Sequence, residues 1–314
     1  MKIAWVGIGR MGFPMVERLL EAGHRVMIWN RTRAKADPLV AKGAIVVDHL
    51  VDLADSDILF TMVSTGKDLY EVCFGNGGVL AADGRRPAIL VDCSSIGLNE
   101  SASLREEITA AGVAYISAPV SGNGKCVIAG KLSAVASGPK AAFDRVGELI
   151  ETFAVRGVSY VGDGELARVC KIAHNVMLGV VAENLMEVTL LAQKAGVPRH
   201  AFLKFMNDSV MGSIFTRYKT PALVNLDWTT TFTPTLLRKD LDLGLQSARE
   251  LGVPMPVTVA AREVLQMHLG MSSKQADPAG YVELDFAAML ETLANFAGIQ
   301  LESENVKVSS GLEP

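Results

Sequence analysis

Up to about residue 163 the chain alternates short apolar, β-rich runs with longer stretches patterned as helices. The runs predict strands at Ile3–Val6, Arg25–Trp29, Ile45–Val47, Ile58–Met62, Ile89–Asp92, Ala114–Ser117, Ser133–Ala136 and Ser159–Val161. Between the early ones, Pro14–Ala22 and Arg33–Ala41 carry helical spacing. Strands that alternate with helices predict parallel β-α-β units in an open doubly wound sheet. Gly23, Gly43 and Gly112 each follow such a helix, where a left-handed residue closes the last turn.

After Gly162-Asp-Gly164 the rhythm changes. Residues 165–195 contain no proline and one glycine and are rich in Ala, Leu, Val and Met. They predict one long, mostly buried linking helix, stopped at Gly196-Val-Pro198. Further helices are expected at Arg199–Asn207, Thr235–Leu251, Val257–Leu269 and Val282–Ala297, the second of them stopped at Gly252-Val-Pro254. The fold class is therefore α/β, with an N-terminal doubly wound sheet, a long interdomain helix and an all-helical C-terminal domain. The expected organisation is a domain at 1–163, a helical substrate and dimerisation domain at 164–298 and a loosely held polar tail at 299–314. A long apolar helix needs partners on every side, so self-association to a dimer or tetramer is expected.

Composition narrows the function classes. The 314 residues suffice for two sizeable cores, and 49% hydrophobic against 20% charged residues is a globular profile. The net charge of −4 offers no broad basic field, so no nucleic-acid partner is expected. The sequence runs directly into a strand and contains no uninterrupted apolar stretch of membrane-spanning length, so no membrane partner is expected, while the separated, reduced cysteines make a cytoplasmic location the expectation. Cys73, Cys93, Cys126 and Cys170 are widely separated and lack nearby histidines at ligand spacing, which predicts buried reduced thiols and no metal site.

Chemistry begins at Gly7-Ile-Gly-Arg-Met-Gly12, a G-x-G-x-x-G between a predicted strand and a predicted helix. The first glycine permits a tight turn, the second a close approach to a pyrophosphate, and the third close helix–strand packing. The helix N-terminus then offers free N–H groups to the anion. A plain βα turn is the alternative, and the strand before, the helix after and the second strand on schedule weigh against it. A Rossmann-type dinucleotide site follows, with Arg10 and Met11 in its loop.

At the end of the second strand, an acidic residue would hold free ribose hydroxyls. This chain has the neutral Asn30 there instead, followed by Arg31, Thr32 and Arg33, donors that suit a 2′-phosphate. NADP(H) is preferred over NAD(H) on this reading; the alternative is a pair of solvated loop arginines.

With these segments in place, a resemblance covers nearly the whole chain. Val6-Gly-Ile-Gly-Arg-Met-Gly-Phe-Pro-Met15 resembles the opening of the β-hydroxyacid dehydrogenase family, which includes 3-hydroxyisobutyrate dehydrogenases and semialdehyde reductases. Asp92-Cys-Ser-Ser95 resembles the family's D-x-S-T segment beside the nicotinamide, and Ala118-Pro-Val-Ser-Gly122 its substrate-binding motif. Lys171-Ile-Ala-His-Asn175 resembles its catalytic K-x-x-N-N, and Lys239-Asp240 its cofactor-side pair, with Phe232 nearby in sequence. The resemblance implies cofactor contacts at Val63, Ser64 and Ser95, and a small anionic substrate at Ser121, Gly122, Asn123 and His174. It implies hydride transfer between a small β-hydroxyacid and its semialdehyde or keto form, as in a 3-hydroxyisobutyrate dehydrogenase or semialdehyde reductase.

The residues make chemical sense on their own. Lys171 and Asn175 are an i, i+4 pair on one helix face. A lysine tuned by desolvation can accept the hydroxyl proton in oxidation and return it in reduction. Some positions depart from the family. Asn123 replaces a second glycine, His174 stands where many relatives have asparagine, Ser95 replaces threonine, and Met62-Val-Ser-Thr65 replaces a leucine-proline loop. Lys125, Met211, Ser213, Arg217 and Trp228 are candidates for a distal pocket that selects the substrate. Two alternatives stand beside the dehydrogenase: an imine reductase on the same architecture, which Lys171 opposes, and a non-catalytic NADPH sensor or scaffold.

Overall fold

The central strands form because their side chains are apolar on both faces. Ile3–Val6 (β1), Ile58–Thr61 (β4) and Ile89–Asp92 (β5) are buried at every position in the computed structural model, which describes residues 1–81 and 84–313. Such strands belong inside a parallel sheet covered on both sides. With Val26–Trp29 (β2), Ile45–Val46 (β3) and Ala114–Ser117 (β6) they make six parallel strands in the order β3-β2-β1-β4-β5-β6. That order reverses between β1 and β4, which creates the crevice where doubly wound folds bind dinucleotides.

The chain divides into two units, Met1–Lys171 and Ile172–Pro314. In the first, helices α1 (Gly12–Glu21), α2 (Gly66–Phe74), α3 (Leu98–Ala110), α4 (Gly124–Ile128) and α5 (Lys140–Phe153) connect the strands. A second sheet of Val120–Ser121 (β7), Ser133–Ala136 (β8) and Val158–Tyr160 (β9) runs in the order β7-β8-β9. Reciprocal 2.9 Å backbone bonds between Ser117 and Ser137 join the two sheets. At the centre, Trp5 stacks on Phe60 at 5.3 Å between ring centroids, with Phe153 edge-on to both. Gly23, Gly43 and Gly112 take the left-handed conformation expected of them, with φ of 86°, 97° and 81°.

Two expectations in this unit change. Arg33–Ala41 is not one helix but two 3-10 segments, Arg33–Lys35 and Asp37–Lys42, because Pro38 has no N–H to continue a helix. Three cysteines are buried, and burial pushes the Cys73 and Cys93 thiols well up, but Cys170 is exposed.

The helix α6 (Leu166–Lys194) begins in the first unit and continues through the second. It is long and apolar enough to cross a membrane by length and composition. Ala182, Leu185, Met186 and Leu190 spend that apolar character in the helical core. Against the expectation of a mostly buried helix, Leu166, Val169, Met177 and Leu191 are exposed in the single chain.

The second unit is helical: α7 (Arg199–Asp208), α8 (Ile214–Asn225), α9 (Pro234–Leu251), α10 (Pro256–Gly270), α11 (Pro278–Val282) and α12 (Met289–Phe296). The expected helix at Val282–Ala297 is broken, because the Asp285 carboxylate leaves the helical path to accept from the Ala287, Thr231 and Phe232 N–H groups. The tail is also corrected. Leu301, Val306 and Val308 pack on the helical core, and Glu304 accepts from the Arg199 and His200 N–H groups. The buried Arg199 guanidinium holds the Glu302 carbonyl at 2.5 Å, so a polar segment is retained by hydrogen bonds and a few apolar anchors. Pro314 lies outside the described residues.

Candidate active site

The glycine loop is shaped by its neighbours. A Cβ on Gly7 would lie 2.1 Å from the Met62 carbonyl oxygen, and one on Gly12 only 1.9 Å from that of Gly7. Gly9 is different: nothing lies within 4 Å of its Cβ position. The first and third glycines are therefore required by packing, while the second faces open space. Met11, the cap residue of α1, makes no side-chain cap hydrogen bond to the first turn, whose Phe13 N–H donates to the Gly9 carbonyl at 3.0 Å. A loop with an open glycine and an uncapped helix start fits a pyrophosphate. Arg10 is exposed and Met11 half-buried beside it.

Asn30 braces this loop. Its Oδ1 accepts from the Ile8 N–H at 2.9 Å, and its Nδ2 donates to the Thr32 carbonyl at 2.8 Å. The asparagine that stands in place of an acidic ribose ligand thus joins the end of β2 to the glycine turn. Arg31 and Thr32 are exposed; Arg31 has an ion pair with Asp68 at 3.4 Å. Arg33 pairs with Asp48 and with Asp37.

At the ends of β4 and β5, the Val63 N–H donates to the Ser94 hydroxyl at 2.9 Å, and Ser94 donates in turn to Asp92 Oδ1 at 2.6 Å. Ser64 is exposed and Ser95 half-buried at this edge. After β6, Val120–Ser121 forms β7, with Ser121 opposite Ser133 of β8. Gly122 has φ 130°, and a Cβ there would lie 2.9 Å from both Cys126 Cβ and Leu132 Cδ1. Asn123 caps α4 by accepting from the Cys126 N–H at 3.1 Å. Its Nδ2 is buried and has no hydrogen-bond partner among the described residues. A Cβ on Gly124 would lie 2.6 Å from the Arg10 carbonyl oxygen, so this segment lies directly against the glycine loop. Arg18 of α1 holds the other end of α4 through the Val127 and Ile128 carbonyls.

The start of α6 is built into the same unit. The Ala167 N–H donates to the Ser137 hydroxyl at 3.0 Å, and Arg105 pairs with Glu165 at 2.8 Å. Arg168 is buried in an ion pair with Asp92 and also donates to the Ser94 carbonyl, the Ser101 hydroxyl and the Tyr115 hydroxyl. Lys171, half-buried, follows one turn later. Sequence reasoning missed Arg168. Its one signal was a charged residue in the opening turn of an apolar helix, three positions before the lysine.

On the helical unit, small residues let α6 and α9 approach closely. A Cβ on Gly244 would lie 2.1 Å from Val176 Cγ2, and one on Gly179 would lie 2.6 Å from Leu241 Cδ2. This crossing places Asn175 against Asp240, with Nδ2 donating to Oδ2 at 2.6 Å. Asn175 Oδ1 contacts His174 Nδ1 at 2.9 Å, and Lys239 pairs with Asp240 at 3.6 Å. Both ends of the Asn175 amide are thus engaged, leaving its second Nδ2 hydrogen and one Oδ1 lone pair for any other contact. Phe232 is held by the Asp285 carboxylate at its N–H and by the Phe286 N–H at its carbonyl.

The distal-pocket candidates carry structural partners. Ser213 caps α8, Arg217 holds the Asn207 carbonyl, and Trp228 donates to Glu291 at 2.6 Å. Met211 and, in the first unit, Lys125 are exposed.

Residues 2–162 match the family described as the NAD-binding domain of 6-phosphogluconate dehydrogenase. Residues 165–291 match the NAD-binding domain of NADP-dependent 3-hydroxyisobutyrate dehydrogenase. The chain belongs to the β-hydroxyacid dehydrogenase family. It is an oxidoreductase fold with both family domains, in the expected order. Among its relatives is the 2-hydroxy-3-oxopropionate reductase of Escherichia coli, 30% identical over 94% of this chain and 99% of that protein. Another is the 3-hydroxyisobutyrate dehydrogenase of Pseudomonas aeruginosa, 29% identical over 91% of this chain and 96% of that one. The structure of the Mycobacterium tuberculosis 3-hydroxyisobutyrate dehydrogenase with L-serine superposes with a TM-score of 0.77 at 25% identity, covering 93% and 98% of the two chains.

Proposed function

We propose that the protein is an NADP(H)-linked enzyme that interconverts a short β-hydroxyacid with its semialdehyde or keto form, with Lys171 as the proton donor and acceptor. The observation that carries this reading is the anchoring of the Lys171 turn in the dinucleotide-binding unit itself, through Ala167, Arg168 and Glu165. A group that exchanges a proton with the reacting oxygen needs a fixed place relative to the cofactor loop.

When bound, the nicotinamide supplies the hydride acceptor or donor. The chain's residues do the rest. Gly7, Gly9 and Gly12, with Arg10 and Met11, hold the pyrophosphate. Arg31 and Thr32, beside the Asn30 brace, take the 2′-phosphate. Val63, Ser64 and Ser95 line the nicotinamide side. Ser121, Gly122 and Asn123 hold the substrate carboxylate, for which the unpartnered Asn123 Nδ2 supplies a donor. In oxidation the substrate hydroxyl proton passes to the Lys171 amine as the C–H hydride departs. In reduction the Lys171 ammonium returns that proton to the carbonyl oxygen. Asn175 braces Asp240 and His174.

The test is NADPH oxidation by the purified protein with succinic, methylmalonic and tartronate semialdehydes and glyoxylate, and NADP reduction with the matching hydroxyacids. Turnover of at least one short acid is expected. Tight NADPH binding without turnover of any of them would refute the reading in favour of a sensor.

A further inference from the structure

Arg168 presents a combination that folding stability alone does not call for. It is 1% exposed and sits in a network of charged and polar groups at the C-terminal edge of the sheet. Replacing a buried ion pair with apolar residues of similar size is commonly neutral or stabilising. The guanidinium nonetheless spans three elements besides its own. It reaches Asp92 and the Ser94 carbonyl at the end of β5, Ser101 on α3 at 3.2 Å and the Tyr115 hydroxyl on β6 at 3.0 Å. The other Asp92 oxygen accepts from the Thr61 hydroxyl at 2.7 Å and from the Ser94 hydroxyl and N–H at 2.6 and 3.2 Å. Ser94 in turn fixes the Val63 N–H. One charge pair therefore ties down Val63, the residue preceding Ser95, and the first turn of α6.

We propose that Arg168 is a positioning residue for the reaction: it holds the α6 turn that carries Lys171 in register with the ends of β4 and β5. The proposal rests on the assignment of Lys171 as the proton-transfer group. Lys171 lies three residues on, about 4.5 Å along the helix axis, so any rocking of that first turn is passed directly to it. A planar fork meets four acceptors at once; an ammonium at the same place is a point charge and cannot span them.

The test is a double-mutant cycle on single-turnover hydride transfer, using Arg168→Lys and Lys171→Ala alone and together. Arg168→Lys should lower kcat about a hundredfold, the loss associated with a misplacement of about 1 Å. NADPH affinity should fall far less than kcat, since the glycine loop that holds the pyrophosphate is untouched even though the Val63 side of the cofactor site is loosened. In the Lys171→Ala background the same change should have an effect below about threefold, because the group it positions is gone. An equal loss in both backgrounds, or no loss of kcat in Arg168→Lys, would overturn the proposal. Tyr115→Phe keeps the Asp92 pair and removes one acceptor; it should lose about tenfold in kcat with the same non-additivity, and it decides the matter if Arg168→Lys fails to fold. Full activity in Lys171→Ala alone would sink the lysine assignment and this proposal together. An additive cycle with an impaired Lys171→Ala would sink this proposal only.

Discussion

Removing the two arginines after β2 separates cofactor recognition from folding. The Arg31 side chain is 82% exposed and its ion pair with Asp68 spans 3.4 Å. The Arg33 side chain is 54% exposed and pairs with Asp48 and Asp37, themselves 74% and 54% exposed. Solvated pairs of this kind contribute roughly 0–1 kcal/mol, so Arg31→Ala and Arg33→Ala should barely move the thermal midpoint. A charge-assisted hydrogen bond to a phosphate contributes about 1.5–3 kcal/mol, or about 10- to 150-fold in Kd. Arg33 would have to leave two carboxylates to reach a phosphate, so Arg31→Ala should show the larger loss. The assay is Kd for NADPH and for NADH by cofactor fluorescence, with a melting curve on each variant. The expected result is weaker NADPH binding with NADH binding within about twofold of the parent. Equal losses for both cofactors would refute the assignment of this segment to the 2′-phosphate.

Two further predictions concern the helical unit. His268 is fully buried, and burial pushes its pKa from 6.5 down to about 4. Between those values the unfolded chain binds a proton that the folded one does not, so stability is complete above pH 6.5 and falls as pH drops towards 4. At about 1.4 kcal/mol per unit the loss is about 3 kcal/mol, read as a lower urea midpoint at pH 4.5 than at pH 7. A His268→Gln variant should lose most of that dependence, and an unchanged pH profile in it would contradict the assignment. Deleting residues 300–314 removes the Glu302 and Glu304 contacts to Arg199 and His200 and the packing of Leu301, Val306 and Val308. It should cost about 3–5 kcal/mol in urea unfolding, and a midpoint equal to the full chain's would show that the segment is not held.

The sheet was legible because its central strands are buried on both faces, so their apolar runs stand out without alternation. Helix ends were legible at Gly196 and Gly252, which take φ of 94° and 68°. Helix α8 was not, because Pro221 lies inside it and its stability comes from the Ser213 cap and from tertiary packing. The C-terminal segment has no periodicity to read; its order depends on Arg199, some hundred residues earlier in the chain. In the candidate site, the glycine pattern and the Lys171–Asn175 spacing were visible as local chemistry. The Asn30 brace looked only like a missing acid. Arg168 was hidden because its partners Asp92, Ser101 and Tyr115 lie on other elements, and pairing at that separation leaves no mark in the local pattern.

The most direct test of the whole account is the kcat/KM of Lys171→Ala on the best substrate found in the semialdehyde and hydroxyacid panel. Loss of the proton-transfer group predicts a fall of about 10²- to 10⁴-fold with NADPH affinity retained. A kcat/KM equal to that of the parent enzyme would contradict it.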